Sequence, residues 1–142
     1  MGSEDATHGV ARLSLYLLDT TVLIAHLCGD RAVTRRLLEL LADRHLLGAT
    51  CVNIAEVERG IRPKERNATD ALLGRLRFLE STREAAIRAG RYQAQFERRG
   101  VTIHTADALV AGTARAHGAT LLTDNVRDFP MRDVTVEAPP TS

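Results

Sequence analysis

Short, unbroken apolar runs alternate along this chain with longer stretches in which apolar residues recur every third or fourth position. Leu15–Leu18, the stretch from His45 to Val52, and Ala119–Thr123 are of the first kind. A continuous run of that length predicts a strand covered on both faces. Val134–Val136 predicts a last edge strand, and Val101–Ile103 a short extended piece. The second kind predicts helices. Thr20–Leu27 follows the first strand, and Val33, Leu37, Leu38 and Leu41 mark the next helix. Asn53 reads as the cap of a short helix running to about Gly60, and Pro63 sits in a charged loop over 62–66. Leu72, Leu73, Leu76 and Leu79 predict a helix over 68–79. Ser81 with Glu84 has capping-box spacing and opens a long helix through Ala85, Ala89, Tyr92 and Phe96, stopped by Gly100. The alanine-rich stretch 107–117 predicts a helix whose small residues, Gly112 among them, allow close approach to the sheet. Strands alternating with helices mean an α/β three-layer sandwich, a mostly parallel central sheet flanked by helices.

Length and composition narrow this further. The 142 residues fit one domain over 15–138, with a flexible N-terminal tail (1–14) and a frayed end (139–142). A net charge of +1 argues against coating nucleic acid through bulk charge. Cys28 and Cys51 lie in no CxxC or other ligand spacing and read as small buried hydrophobes in a reducing compartment. The polar, acidic start lacks the basic and apolar regions of a signal peptide, and no apolar run approaches the ~20 residues that span a bilayer. The expectation is a cytoplasmic protein without a membrane partner. No G-x-G-x-x-G follows a strand, which excludes a dinucleotide site. Lys64 is the sole lysine and Thr21 stands two residues after the first strand-end Asp. Phosphoaspartyl phosphatases and receiver domains, which need a placed lysine, are thereby excluded.

Candidate chemistry lies in the acids. Asp19, Asp107 and Asp124 follow apolar strand-like runs, and Glu56 lies one helical turn past another. Open parallel sheets bind ligands beyond the carboxyl ends of their strands. Two carboxylates ~4 Å apart there cost about 4 kcal/mol at an effective dielectric near 20 unless a cation lies between them. All-oxygen ligation selects Mg2+ or Mn2+ over zinc. Each acid also has a plain structural use. Asp19 could cap a helix, Asn53 with Glu56 could form a capping box, Asp107 could sit in a first turn behind Thr105, and Asp124 with Asn125 could form a turn. Capping does not require all four to follow strand-like runs, so the set points to a metal site. Asp128 lies within reach of the same loop as Asp124 and is the alternative fourth acid.

Four blocks carry a resemblance. Residues 17–24 (LLDTTVLI), 53–60 (NIAEVERG), 105–114 (TADALVAGTA) and 121–129 (LLTDNVRDF) occur in the order of the signatures of PIN-domain ribonucleases. They most resemble those of the VapC-type toxins of prokaryotic toxin–antitoxin pairs, over about residues 15 to 136. The resemblance implies that Asp19, Glu56, Asp107 and an acid of the last block hold Mg2+ for RNA phosphodiester hydrolysis. It also implies a homodimer and a cognate antitoxin whose tail covers the site. Thr21 stands where the family more often has Asn or Ser, and Gly112 where Ala is usual. Thr21 and Thr123 are candidates to bond a ligand carboxylate or water, with helix or turn capping as the other use open to them. Arg59, Arg62, Lys64, Arg66 and Arg127 are the candidate RNA contacts. The rival reading is a PIN-like module that binds RNA or a partner without cutting.

Overall fold

The computed structural model describes residues 13–141. Five strands form one sheet: β1 (Leu15–Leu18), β2 (Leu46–Ala49), β3 (Arg77–Phe78), β4 (Thr120–Leu122) and β5 (Val136–Glu137). Their order is β3-β2-β1-β4-β5 and every pairing is parallel. Six α-helices flank it: α1 (Thr20–Leu27), α2 (Arg31–Ala42), α3 (Cys51–Gly60), α4 (Arg66–Arg75), α5 (Arg83–Glu97) and α6 (Thr105–His117). The expected α/β sandwich is what forms.

Strand β1 is apolar throughout because both of its faces are covered. Leu17 and Leu121 point into a core shared with Ala89, Tyr92 and Phe96 of α5 and with Ala108, Val110 and Ala111 of α6. Tyr16, Leu18 and Leu122 point the other way, onto Val22 and Leu23 of α1, Val33, Leu37 and Leu40 of α2, and Val57 of α3. Alternation along each strand thus feeds two cores from one run. The central strand carries Asp19 at its carboxyl end, with the end of β4 on one side and that of β2 on the other.

Several local expectations are corrected. The stretch after Leu76 leaves the helix and pairs β3 with β2, through Gly48 with Arg77 and Ala49 with Phe78. Val101–Ile103 forms no strand. Thr50, not Asn53, caps α3, and Asn53 closes the capping box from the third helical position. Thr82, not Ser81, caps α5 by accepting from the Ala85 N–H. In α2 the buried face is Val33, Leu37 and Leu40, while Leu38 and Leu41 are exposed. Gly112 makes a close approach to α5 rather than to the sheet, since a methyl group there would overlap the Ala85 carbonyl. Cys28 and Cys51 are both exposed, not buried. Of the tail expected over 1–14, residues 1–12 lie outside the described residues. At the other end Pro139 is buried and Pro140 exposed, and Ser142 is not described. No helix among the described residues is long and apolar enough to cross a membrane.

Candidate active site

Asp19 is the centre of a buried polar network at the carboxyl edge of the sheet. Its backbone N–H continues the ladder to the Leu122 carbonyl at 2.9 Å, which fixes the residue beside the end of β4. Its backbone is extended, as an N-cap requires, but the side chain does not cap α1. The carboxylate instead accepts the Thr123 hydroxyl at 2.7 Å and the Asn53 amide at 3.2 Å. Only 6% of the residue is exposed. Burial raises its pKa above the ordinary 3.8; bonds from Thr123, the Thr20 backbone and Asn53 oppose the rise, and the nearby Glu56 charge adds to it.

Asn53 owes its place to the capping box. Its carbonyl oxygen accepts the Thr50 N–H at 3.1 Å and the Thr50 hydroxyl at 2.8 Å. That fixes which end of the amide faces the acids, and the NH2 donates to Asp19 and, at 3.1 Å, to the Thr20 hydroxyl. Thr20 in turn donates to Glu56 Oε1 at 2.6 Å. Glu56 therefore serves no capping box of its own. Thr123 accepts the Asn125 N–H at 3.0 Å while donating to Asp19, and Thr21 accepts the Asp124 N–H at 3.1 Å. Of the two threonines singled out from the sequence, Thr123 touches a carboxylate and Thr21 ties α1 to the loop after β4. Sequence reasoning misses Thr20. Its signal is position alone, next to Asp19 and opening the helix.

Asp107 sits half-buried in the first turn of α6, behind His104 as N-cap rather than Thr105. Its pKa is pushed up to about 6, first by burial and then by the charges of Asp128, Asp19 and Glu56, with His104 pulling it down. The charges of Asp19, Glu56 and Asp128 thus reach Asp107 although the four are far apart in sequence. Asp124 is exposed beside this group. Among the described residues no three His, Cys, Asp or Glu are drawn together tightly enough to hold a metal ion.

The basic candidates divide. Arg62 bonds Glu65 at 2.8 Å through its N–H and 3.0 Å through its guanidinium, which holds the Glu65 carboxyl down at about 2. Arg66 grips Glu58 through both terminal nitrogens, at 2.9 and 3.0 Å, and Asp70 at 2.9 Å. These two charges are already matched by neighbouring acids. Arg59 and Lys64 are exposed on the same stretch, and Arg127 is exposed on the loop with Asp124 and Asp128.

Comparison with known proteins gives this geometry a family. The PIN-domain model matches residues 16–134. Ribonuclease VapC10 of Mycobacterium tuberculosis is 36% identical over 117 residues, covering 82% of this chain and 87% of that protein. Ribonuclease VapC2 of Rickettsia felis is 28% identical over 120 residues, covering 81% and 90%. The structure of Rickettsia felis VapBC2 bound to a DNA fragment from its promoter superposes with a TM-score of 0.78 at 26% identity, covering 89% of this chain and 99% of that one. DNA-bound VapBC of Salmonella typhimurium gives 0.74 at 22% identity, covering 89% and 98%, a likeness of fold. The chain belongs to the PIN-domain family, in its VapC-type branch.

Proposed function

We propose that the protein is a Mg2+-dependent endoribonuclease, with Mn2+ as substitute, and the toxin of a toxin–antitoxin pair. The observation that carries this reading is the buried Asp19 carboxylate, held by Thr123 and Asn53 and coupled through Thr20 to Glu56, where a capping role would have turned it to the helix. Relatives named as VapC ribonucleases and neighbours solved as VapBC complexes support it.

Whether the residues fit a divalent ion follows from their chemistry. The donor set is all carboxylate and hydroxyl oxygen, which suits Mg2+ or Mn2+. Asp107 is lifted in part by its acidic neighbours, a repulsion that a cation would relieve. Mg2+ keeps several waters and takes one or two carboxylates directly. A site of that kind does not require three acids to converge beforehand. Asp19 and Asp107 would ligate it, with Glu56 and a fourth acid completing the set. Asp128 suits that last role better than Asp124, because its charge acts directly on Asp107. When bound, such an ion activates a water, offsets phosphate charge and stabilises the leaving alkoxide. The protein's own share is orientation: Thr123 and Asn53 fix the two oxygens of Asp19, and Thr20 turns Glu56 toward it.

The test is cleavage of RNA oligonucleotides by the purified protein with Mg2+ or Mn2+, with EDTA, and with Asp19→Asn. Cleavage that needs metal and vanishes in Asp19→Asn, at unchanged circular dichroism, supports the reading. The non-cutting module has one observation on its side, the lack of three converging ligands among the described residues. It prevails if native protein binds RNA and leaves it whole with either metal. A cognate antitoxin and a homodimer are part of the proposal. Co-expression with the antitoxin gene and light scattering of the free protein check each in turn.

A further inference from the structure

Charge along α5 and the two residues that follow it is lopsided. Residues 83–99 carry Arg83, Arg88, Arg91, Arg98 and Arg99 against Glu84 and Glu97, a surplus of three positive charges in a chain whose net charge is +1. Part of that surplus borders an open cleft of about 500 Å³ lined by Arg88, Gln95, Phe96, Arg99, Arg132 and Asp133, among others. Asp133 is the acid in this lining, and it is already engaged. It accepts the Tyr92 hydroxyl at 2.8 Å and lies 3.8 Å from Arg88 and 3.6 Å from Arg115. Arg99 is laid over the Phe96 ring, 4.9 Å from its centre, which limits its freedom without consuming its hydrogen-bond donors. Among the described residues neither Arg99 nor Arg132 has an acidic partner.

The chain links the cleft to the acids through the loop after β4 and through α5. Pro130 and Met131 line it and follow Asp128 by two and three residues. The chain can separate Asp128 from Pro130 by at most about 7 Å. On the helix side, the Gln93 amide donates to the Ile103 carbonyl at 2.9 Å and the Thr105 hydroxyl at 3.1 Å, which seats the second half of α5 beside the turn bearing Asp107. A polyanion drawn to a cluster of carboxylates needs positive charge close by, and Arg62 and Arg66 are already matched by their own acids.

We propose that this cleft is the track for the sugar–phosphate backbone of a single-stranded RNA substrate on one side of the scissile bond, with Arg99 and Arg132 each taking a phosphate. The proposal rests on the ribonuclease reading above. Interactions of this kind position the strand and carry no base information. Removing them therefore weakens binding about equally for every sequence.

The experiment measures binding of labelled single-stranded RNAs of several sequences across a salt series, and cleavage kinetics beside it. Arg99→Gln with Arg132→Gln is compared with Arg31→Gln and Arg35→Gln on α2, an equal change of charge elsewhere. Thermal melting confirms that each variant is folded. The expected result is a salt slope shallower by about 1.4 in the cleft variant, roughly 0.7 for each single-strand phosphate left without its arginine. KM is expected to rise while kcat at saturation holds, with neither change in the α2 variant. An unchanged slope and KM in a protein that cuts RNA overturns the track, as does the same fall in affinity for double-stranded DNA bound in preference to RNA. Protein that cuts nothing yet shows the shallower slope leaves the track standing and defeats the ribonuclease reading instead.

Discussion

Asp19 and Glu56 show why single residues are hard to read. A capping aspartate and a ligating one need the same extended backbone at a strand end, so the order of residues fits both. What separates them is where the carboxylate turns, and here it turns to Thr123 and Asn53. Thr123→Val keeps the shape and removes that donor. The expected outcome is a roughly tenfold fall in cleavage rate, of the size found for groups that orient metal ligands, with recovery in Thr123→Ser. A fall that Ser does not restore would mark packing rather than the hydroxyl. Asp107 gives a pH prediction. Its folded pKa of about 6 stands above the ordinary 3.8, so the folded chain holds the extra proton between those values. Its contribution to stability is therefore intact below about pH 4 and is lost as pH rises through about 6. Melting in EDTA should show that decline in wild type and a flatter curve in Asp107→Asn. The difference should be on the order of 1 kcal/mol, given how strongly solvent screens a half-exposed site. Parallel curves would dismiss the shift.

Helices with a clear apolar stripe are legible in the sequence, and short or borrowed elements are not. The stripe Ala85, Ala89, Tyr92 and Phe96 is buried as its spacing requires. Strand β3 is hidden because Leu72, Leu73, Leu76 and Leu79 keep helical spacing straight through it, and two residues offer no alternation to detect. The chain leaves the helix at Leu76 because the open edge of β2 offers pairing that a longer helix would forgo. Gly112 reads in the sequence as a bland replacement for alanine, yet α6 packs there directly against the backbone of α5. A side-chain methyl there would meet the carbonyl of Ala85, a backbone atom that cannot swing aside. Gly112→Ala gains helix propensity worth up to about 1 kcal/mol but forces the helices apart at about 1–3 kcal/mol. Denaturant unfolding should show net destabilisation. An unchanged or raised midpoint would mean that the crossing can relax.

Taken whole, the fold makes sense of acids scattered over 110 positions, from Asp19 to Asp128. A parallel sheet ends all its strands at one edge, so loops distant in sequence meet there. Apolar runs that stop at an acid make that edge visible in the sequence. The hydrogen bonds of Thr20 and Asn53 are not visible there, because they depend on how α1 and α3 are packed. The same convergence leads to a test on the entire molecule. If Mg2+ or Mn2+ binds the folded state alone, its affinity adds to stability by mass action, about 2.7 kcal/mol at a hundredfold excess over Kd. For a domain of this size that is a rise in Tm of roughly 8 °C. Ligands must be deprotonated to bind, so the rise should shrink as pH falls below about 6, where Asp107 takes up its proton. Asp19→Asn should lose it at every pH. Scanning calorimetry at several metal concentrations measures all three effects together. A Tm that ignores millimolar metal at neutral pH, in protein that otherwise melts cooperatively, would mean that the acids meet for some purpose other than holding an ion.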